Sequence, residues 1–99
     1  MESGAVLMKK YLKLKAQFEK NRDNENAVQM RAYMRNLFAF YGLSAPKRRL
    51  LYKAFLKNEK VINSIDWDLL DKCYNDLHRE FQYFVMDYLA AKSLQNKNF

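Results

Sequence analysis

The fold is decided by residues 38–49, which read Phe-Ala-Phe-Tyr-Gly-Leu-Ser-Ala-Pro-Lys-Arg-Arg. An apolar segment ends at Gly42, and a new helix opens around Pro46, where the missing N–H of proline costs nothing. Glycine tolerates the positive φ of a helix C-terminal cap, so Gly42 is predicted to end the preceding helix. Three cations follow at positions 47–49. The stretch therefore predicts a corner between two helices, the second of which starts with a basic turn.

Apolar residues at helical spacing predict five helices around this corner. The first covers about residues 6–20, and the second covers about residues 25–41 behind an N-cap at Asp23 or Asn24. Ser44 or Ala45 caps the third helix. The faces expected to be buried are Met30, Met34, Leu37, Phe38 and Tyr41 on the second helix, and Leu50, Leu51, Ala54 and Phe55 on the third.

Two further helices are predicted in the last third of the chain. Asp66 is the expected N-cap of the fourth, and the fifth begins near Arg79 or Glu80. Beyond Lys92 the apolar pattern is lost, which predicts a frayed end. The expected buried residues are Trp67, Leu70, Cys73, Tyr74 and Leu77 on the fourth helix, and Phe81, Phe84, Val85, Tyr88 and Leu89 on the fifth.

The composition supports an all-α fold in one domain. The chain has 99 residues, 49% of them hydrophobic, and its two glycines and single proline leave little material for hairpins. Short connections predict antiparallel helical pairs, stacked as a fragment of an α-solenoid, with a closed bundle as the alternative. Residues 1–99 are thus expected to form a single helical domain.

Charge is unevenly distributed along the chain. Residues 1–65 contain fourteen of the eighteen Lys and Arg but five of the eleven Asp and Glu, within a formal net charge of +7. The basic residues 1–65 and the mildly acidic residues 66–99 favour nucleic acid as the partner, with an anionic membrane surface as the second possibility. The apolar runs are too short to span a bilayer, and one cysteine permits no intrachain disulfide, so a cytoplasmic protein without a membrane segment is expected.

A basic stripe is predicted on the third helix. Arg49, Lys53, Lys57 and Lys60 recur at i, i+4, i+8 and i+11, although like charges four apart destabilise a helix by about 0.2–0.5 kcal/mol per pair. The corner itself combines a helix N-terminus with Lys47, Arg48 and Arg49, which suits a phosphate. Solvated cations at an ordinary helical corner are the alternative interpretation.

The remaining chemistry-bearing residues indicate no active site. Cys73 is expected on a buried face, His78 has no second histidine to share a metal, and neither a phosphate-binding glycine loop nor a nucleophile elbow is present. No cofactor and no metal are therefore expected. Among the aromatic residues beside the corner, Phe40 is expected in the core, whereas Tyr33 lies off the apolar stripe and is more open.

Three segments resemble one protein family: residues 30–38, residues 40–49 and residues 77–82. The combined spacing of aromatic residues, Gly42, Pro46 and the Arg pair is similar to that of the DNA alkylation repair proteins, which are HEAT-like-repeat DNA glycosylases. The resemblance implies a stack of helical pairs that forms a basic cradle for duplex DNA, and excision of positively charged alkylated purines without flipping of the base into a pocket. Tyr33, Ser44 and Arg49 match residues of the family, whereas Ala45 stands where the family has Thr.

The resemblance also implies what this chain lacks. The family's aromatic cleft and catalytic aspartate lie in later repeats, so these 99 residues are expected to be inactive alone. They are expected to be the N-terminal part of a longer protein, with a free-standing remnant that binds DNA without cleaving it as the alternative. Self-association is expected through an exposed helical end formed by Tyr83, Phe84, Val85 and Tyr88. A non-enzymatic helical module that binds an acidic partner through its basic face is the alternative. The predicted DNA-binding residues are Tyr33, Ser44, Lys47, Arg48, Arg49 and Lys53.

Overall fold

A computed structural model describes residues 2–95, and it shows an all-α protein. Within these residues the only β-type pairing is an isolated parallel bridge between Ala39 and His78. The predicted fold class is therefore confirmed, and its packing is compatible with stacked helical pairs. The helices are α1 (Glu2–Lys20), α2 (Asn24–Tyr33), α3 (Ala45–Lys60), α4 (Trp67–Tyr74) and α5 (Arg79–Gln95).

Four helices surround an aromatic core. Both α1 and α5 pack against α3 and α4, whereas α2 makes no comparable helix–helix contact among the described residues. Phe18 of α1 lies at the centre of this core, with its ring centroid 5.0 Å from that of Phe81, 5.7 Å from that of Tyr41 and 6.2 Å from that of Tyr52. Tilted and edge-to-face ring pairs of this kind stabilise a core beyond the area they bury.

The predicted helix caps are present. The side chain of Asp23 accepts the N–H of Asn26 at 3.0 Å, and Asp66 accepts the N–H of Leu69 at 3.1 Å. Ser44 caps α3 in the same way. These acceptors satisfy N–H groups that the first turn of a helix leaves without an intrahelical partner, so they define where the helices begin.

Two helix ends differ from the prediction. α1 begins at Glu2, four residues earlier than expected, and α5 continues through Gln95 instead of fraying beyond Lys92. The Lys92 Nζ donates to the carbonyl oxygens of Glu59, in the last turn of α3, and of Ile62, just after it, so the last turns of α5 are bound to the C-terminal end of α3. The predicted frayed end at residues 96–99 lies outside the described residues.

The second helix is shorter than predicted, ending at Tyr33 instead of near Tyr41. Arg35 and Asn36 adopt positive φ angles of 57° and 59°. Their N–H groups donate to the carbonyl oxygens of Ala32 and Arg31 at 3.0 and 2.7 Å, which closes the helix end. The apolar residues that follow are therefore released from the helix, and they run into the core as a non-helical segment.

Residues 37–43 form this segment, residues 40–43 of it are buried, and a carboxylate of α5 holds the buried part. Glu80 is fully buried, and its carboxylate accepts the N–H groups of Tyr41 and Gly42 at 3.0 Å and that of Leu43 at 3.2 Å. A buried non-helical segment has no ladder of backbone bonds, so its N–H groups need another acceptor. Glu80 supplies that acceptor.

Gly42 allows α2 to pack against the same segment. Its φ is +91°, and a Cβ at this position would lie 2.0 Å from the carbonyl oxygen of Asp23 and 2.8 Å from the nitrogen of Ala27. The Gly42 carbonyl oxygen accepts the side-chain amide of Asn26 at 2.8 Å. The predicted positive φ is confirmed, but the predicted role as a helix cap is wrong, since Gly42 permits close backbone contact with the start of α2.

Several predicted buried faces need correction. Trp67, Tyr74, Leu77, Leu37, Leu50 and Ala54 are exposed. α4 has only eight residues, so its inward face is limited to Leu69, Leu70 and Cys73. Leu37 follows the early end of α2 and has no helix face to share.

The predicted exposed end of α5 is also wrong. Phe84, Val85 and Tyr88 are buried, because α5 packs between α3 and α4, and Tyr83 is half-buried. Self-association stays a prediction, but these residues do not offer an open apolar surface for it. Over residues 2–95, no helix is both long and apolar enough to cross a membrane.

Candidate nucleic-acid interface

A groove of about 740 Å³ lies between α3 and α5. One wall carries the predicted basic stripe, and the helix rise of about 1.5 Å per residue separates successive cations four positions apart by about 6 Å along the axis. Apolar side chains, Leu50 and Ala91 among them, line the rest of the groove. Its residues are Pro46, Arg49, Leu50, Tyr52, Lys53, Leu56, Lys57, Lys60, Asp87 and Ala91.

Arg48 does not face this groove with Arg49. It is 6% exposed, its Nε donates to the Tyr52 hydroxyl at 3.0 Å, and its guanidinium lies 4.8 Å from the centroid of the Tyr83 ring. Adjacent residues of a helix point about 100° apart, so the three cations of the corner divide between the interior and the surface. The structure brings Arg49 and Lys53 together at the groove and directs Arg48 inward.

Backbone donors at the start of α3 are largely used within the helix cap. Pro46 brings no N–H, and the N–H groups of Lys47 and Arg48 donate to the Oγ and the carbonyl oxygen of Ser44 at 3.4 and 2.8 Å. An anion at this corner would therefore depend on side chains. Lys47 is exposed there, while Ser44 has a structural role as the cap.

Tyr33 lies in a second depression, of about 290 Å³, at the end of α2. Its side chain is 88% exposed, and Phe40 and Tyr83 line the same depression. Phe40 is buried, as predicted. The Tyr83 ring lines this depression and also lies under the guanidinium of Arg48, so the depression borders the α3 corner through this one side chain of α5.

Asp87 is the charged groove residue that sequence reasoning missed. It is the one acid among the described residues that line the groove, and it accepts the hydroxyl of Tyr52. The same Oδ2 atom lies 3.5 Å from the Nε of Arg49 and 3.6 Å from an Nη of Arg48. Burial and this bond to Asp87 raise the pKa of Tyr52, so its hydroxyl stays a donor. The sequence signal that could have found Asp87 is its place as an acid among the apolar residues of α5.

Cys73 and His78 have structural surroundings. Burial, followed by the charges of Asp76 and Asp66, raises the pKa of the Cys73 thiol to about 12, which keeps it protonated and unreactive. The His78 ring stacks on Tyr41 with 3.9 Å between centroids, and its Nδ1 lies 3.0 Å from Asp76. Among the described residues, no group of three or more His, Cys, Asp or Glu could hold a metal ion.

Asp76→Asn should lower the free energy of unfolding by about 1–3 kcal/mol near neutral pH. Burial would raise the pKa of Asp76, but hydrogen bonds from the Tyr11 hydroxyl and from the backbone and ring of His78 outweigh it and hold the pKa below its ordinary 3.8. The stabilisation is therefore fully present above the unfolded pKa and is lost as pH falls through the folded one.

Denaturant unfolding of both proteins across the acid range measures this effect. The difference between wild type and variant should shrink as the solution is acidified below about pH 4. Asp68→Asn on the exposed side of α4 is the control, with an expected change of less than about 0.5 kcal/mol. A difference that stays constant down to acid pH would contradict the assignment.

Helices around an aromatic core, with a cationic groove on one side, define an all-α protein with a basic face. A protein-family model described as DNA alkylation repair enzyme matches residues 14–99. The chain belongs to this family. No curated protein and no solved structure matches it. The matched range includes all six predicted contact residues, so the resemblance seen in the sequence is confirmed at the level of the family.

Proposed function

We propose that this chain binds the backbone of duplex DNA through the groove between α3 and α5, as the N-terminal DNA-binding portion of a DNA alkylation repair glycosylase. In this proposal the whole enzyme excises positively charged alkylated purines. The observation that carries the proposal is the wall of four cations on one side of an open groove, in a chain that belongs to a DNA alkylation repair family.

The arrangement of charge supports a polyanion as the ligand. Four like charges along one side of α3 weaken the helix by about 0.2–0.5 kcal/mol per neighbouring pair. Of these four residues, Arg49 alone has an acid among the described groove residues, namely Asp87. A series of phosphates would neutralise the stripe and release condensed counterions, which favours binding most strongly at low salt.

The groove supports binding and offers no evident group for excision. Its carboxylate, Asp87, accepts the Tyr52 hydroxyl and faces both Arg48 and Arg49, so it is held by neighbours within the protein. We therefore assign the bond-breaking step to residues other than those described in the groove. The contribution of this chain is to hold the duplex.

A second function is favoured by one observation. Leu50 is 69% exposed beside the cations, and a groove that is both basic and apolar also suits an acidic amphipathic helix of a partner protein. Binding of such a helix would also weaken in salt, but it would involve fewer ion contacts than a duplex does. The slope of log K against log salt distinguishes the two, since a duplex should give the steeper slope.

Arg49→Ala and Lys53→Ala should each weaken DNA binding at low salt and reduce the slope of log K against log salt by about one. Each variant removes one phosphate contact in the proposal. The measurement is the dissociation constant of a fluorescent duplex over a salt series. Duplexes with and without an alkylated purine should bind equally, because backbone contacts carry no information about the base, and the modified base should stay in place.

Lys72→Ala is the matched control, since it removes an exposed cation from α4, which does not pack against α3. It should leave the salt slope unchanged. Absence of duplex binding at low salt, or an equal change of slope in all three variants, would contradict the proposed groove.

A further inference from the structure

We infer that Asp87 is a positioning residue for DNA binding, which holds the Arg49 side chain in the orientation that receives a phosphate. The inference rests on the proposed function. It concerns an acid inside a basic groove, where simple charge counting would assign it a harmful role. The contacts of Asp87 indicate the opposite.

The Asp87 carboxylate is fixed by the protein. Its Oδ2 accepts the hydroxyl of Tyr52, a residue that is 1% exposed and packs with Phe84 at 5.1 Å between ring centroids. Tyr52 cannot move without disturbing the core, so the carboxylate it binds has a defined position. Asp87 thereby links the rigid core to the floor of the groove.

Arg49 is a long, exposed side chain that lies beside this carboxylate. Its side chain is 62% exposed, and its Nε lies 3.5 Å from Asp87 Oδ2. A guanidinium has five N–H donors, and the contact with Asp87 uses the one at Nε. The terminal nitrogens provide a second edge, which matches the two oxygens of a phosphate.

Arg48 explains why the acid does not repel the DNA. Its guanidinium is buried, with one Nη 3.6 Å from the carboxylate, so the negative charge of Asp87 is closely compensated from the interior. What remains is the restraint on Arg49, and ordering a long side chain before binding removes part of the entropy cost of the complex. Loss of Asp87 should therefore weaken binding even though it makes the groove more positive.

Two variants of Asp87 separate its restraint of the Arg49 side chain from the effect of its negative charge. Asp87→Asn removes the charge, whereas Asp87→Glu keeps the charge and shifts the carboxylate by one methylene. Both should weaken duplex binding by about threefold to tenfold, the range expected when one long side chain loses its preferred rotamer. In an Arg49→Ala background, neither should weaken binding further, because the side chain that Asp87 positions is absent.

The dissociation constants are measured for one duplex at one salt concentration, and thermal melts confirm that each variant is folded. If Asp87→Asn does not fold, Asp87→Glu decides the matter. The charge control is Asp68→Asn on α4, which should bind DNA as tightly as wild type or slightly more tightly.

Tighter binding by Asp87→Asn, unchanged binding by Asp87→Glu, or an equal loss in the Arg49→Ala background would overturn the positioning role while leaving the proposed function intact. No duplex binding by the wild-type chain would overturn both. A loss in wild type that disappears in the Arg49→Ala background would establish the coupling.

Discussion

Replacing Glu80 by Gln is expected to lower the free energy of unfolding by about 3–5 kcal/mol, a large part of the total for a small domain. The carboxylate accepts three consecutive N–H groups, those of Tyr41, Gly42 and Leu43, inside a fully buried site. An amide retains one oxygen and turns an NH₂ group toward donors that need an acceptor. The Tyr41 N–H, which donates to both carboxylate oxygens at 3.0 and 3.1 Å, would then face an NH₂ donor, and the bonds to the remaining oxygen would lose their charge.

Urea or thermal unfolding of Glu80→Gln measures this loss. Glu19→Gln is the matched control, because it makes the same chemical change at an exposed position of α1 and should alter stability by less than about 0.5 kcal/mol. A change below about 1 kcal/mol in Glu80→Gln would show that the buried carboxylate is not what holds residues 37–43.

The same contact explains why the second helix was predicted too long. Met30, Met34, Phe38 and Tyr41 keep a helical period, and local pattern alone cannot show that the chain leaves the helix after Tyr33. The decisive partner, Glu80, is 39 residues away from Tyr41. The starts of α2, α3 and α4 were predicted well because a cap depends on residues three positions apart, whereas the end of α2 depends on a distant carboxylate.

The candidate site shows the same division between local and distant causes. Periodicity placed Arg49 and Lys53 on one exposed side of α3, and the structure agrees. Periodicity could not show that Arg48 points inward, because its partners are Tyr52 on the same helix and Asp87, 39 residues later in the chain. A run of cations in a sequence therefore overestimates the number available to a ligand, because one of them serves to balance an acid within the fold.

Gly42 connects the prediction for Glu80 with the position of α2. Residues 37–43 bind Glu80 on one side and the start of α2 on the other, where the Asp23 N–H donates to the Tyr41 carbonyl oxygen at 2.9 Å. α2 carries Tyr33 at its end, so the depression around Tyr33 depends on this backbone contact. Any side chain at position 42 must therefore displace α2.

Gly42→Ala is accordingly expected to lower the free energy of unfolding by about 3–5 kcal/mol. The new Cβ would lie 2.0 Å from the Asp23 carbonyl oxygen and 2.8 Å from the Ala27 nitrogen, both backbone atoms that cannot rotate away, and φ is +91°. The measurement is thermal or urea unfolding. Gly4→Ala within α1 makes the same substitution in a helix and should change stability by no more than about 1 kcal/mol.

Gly42→Asn separates the two causes of that loss. Asparagine tolerates positive φ better than alanine does, so it would recover stability if backbone conformation were the main cost. Because its Cβ meets the same two backbone atoms, we expect Asn to be as destabilising as Ala. Recovery of most of the stability by Asn would show that α2 can move aside, and that the Tyr33 depression is not held by close contact at Gly42.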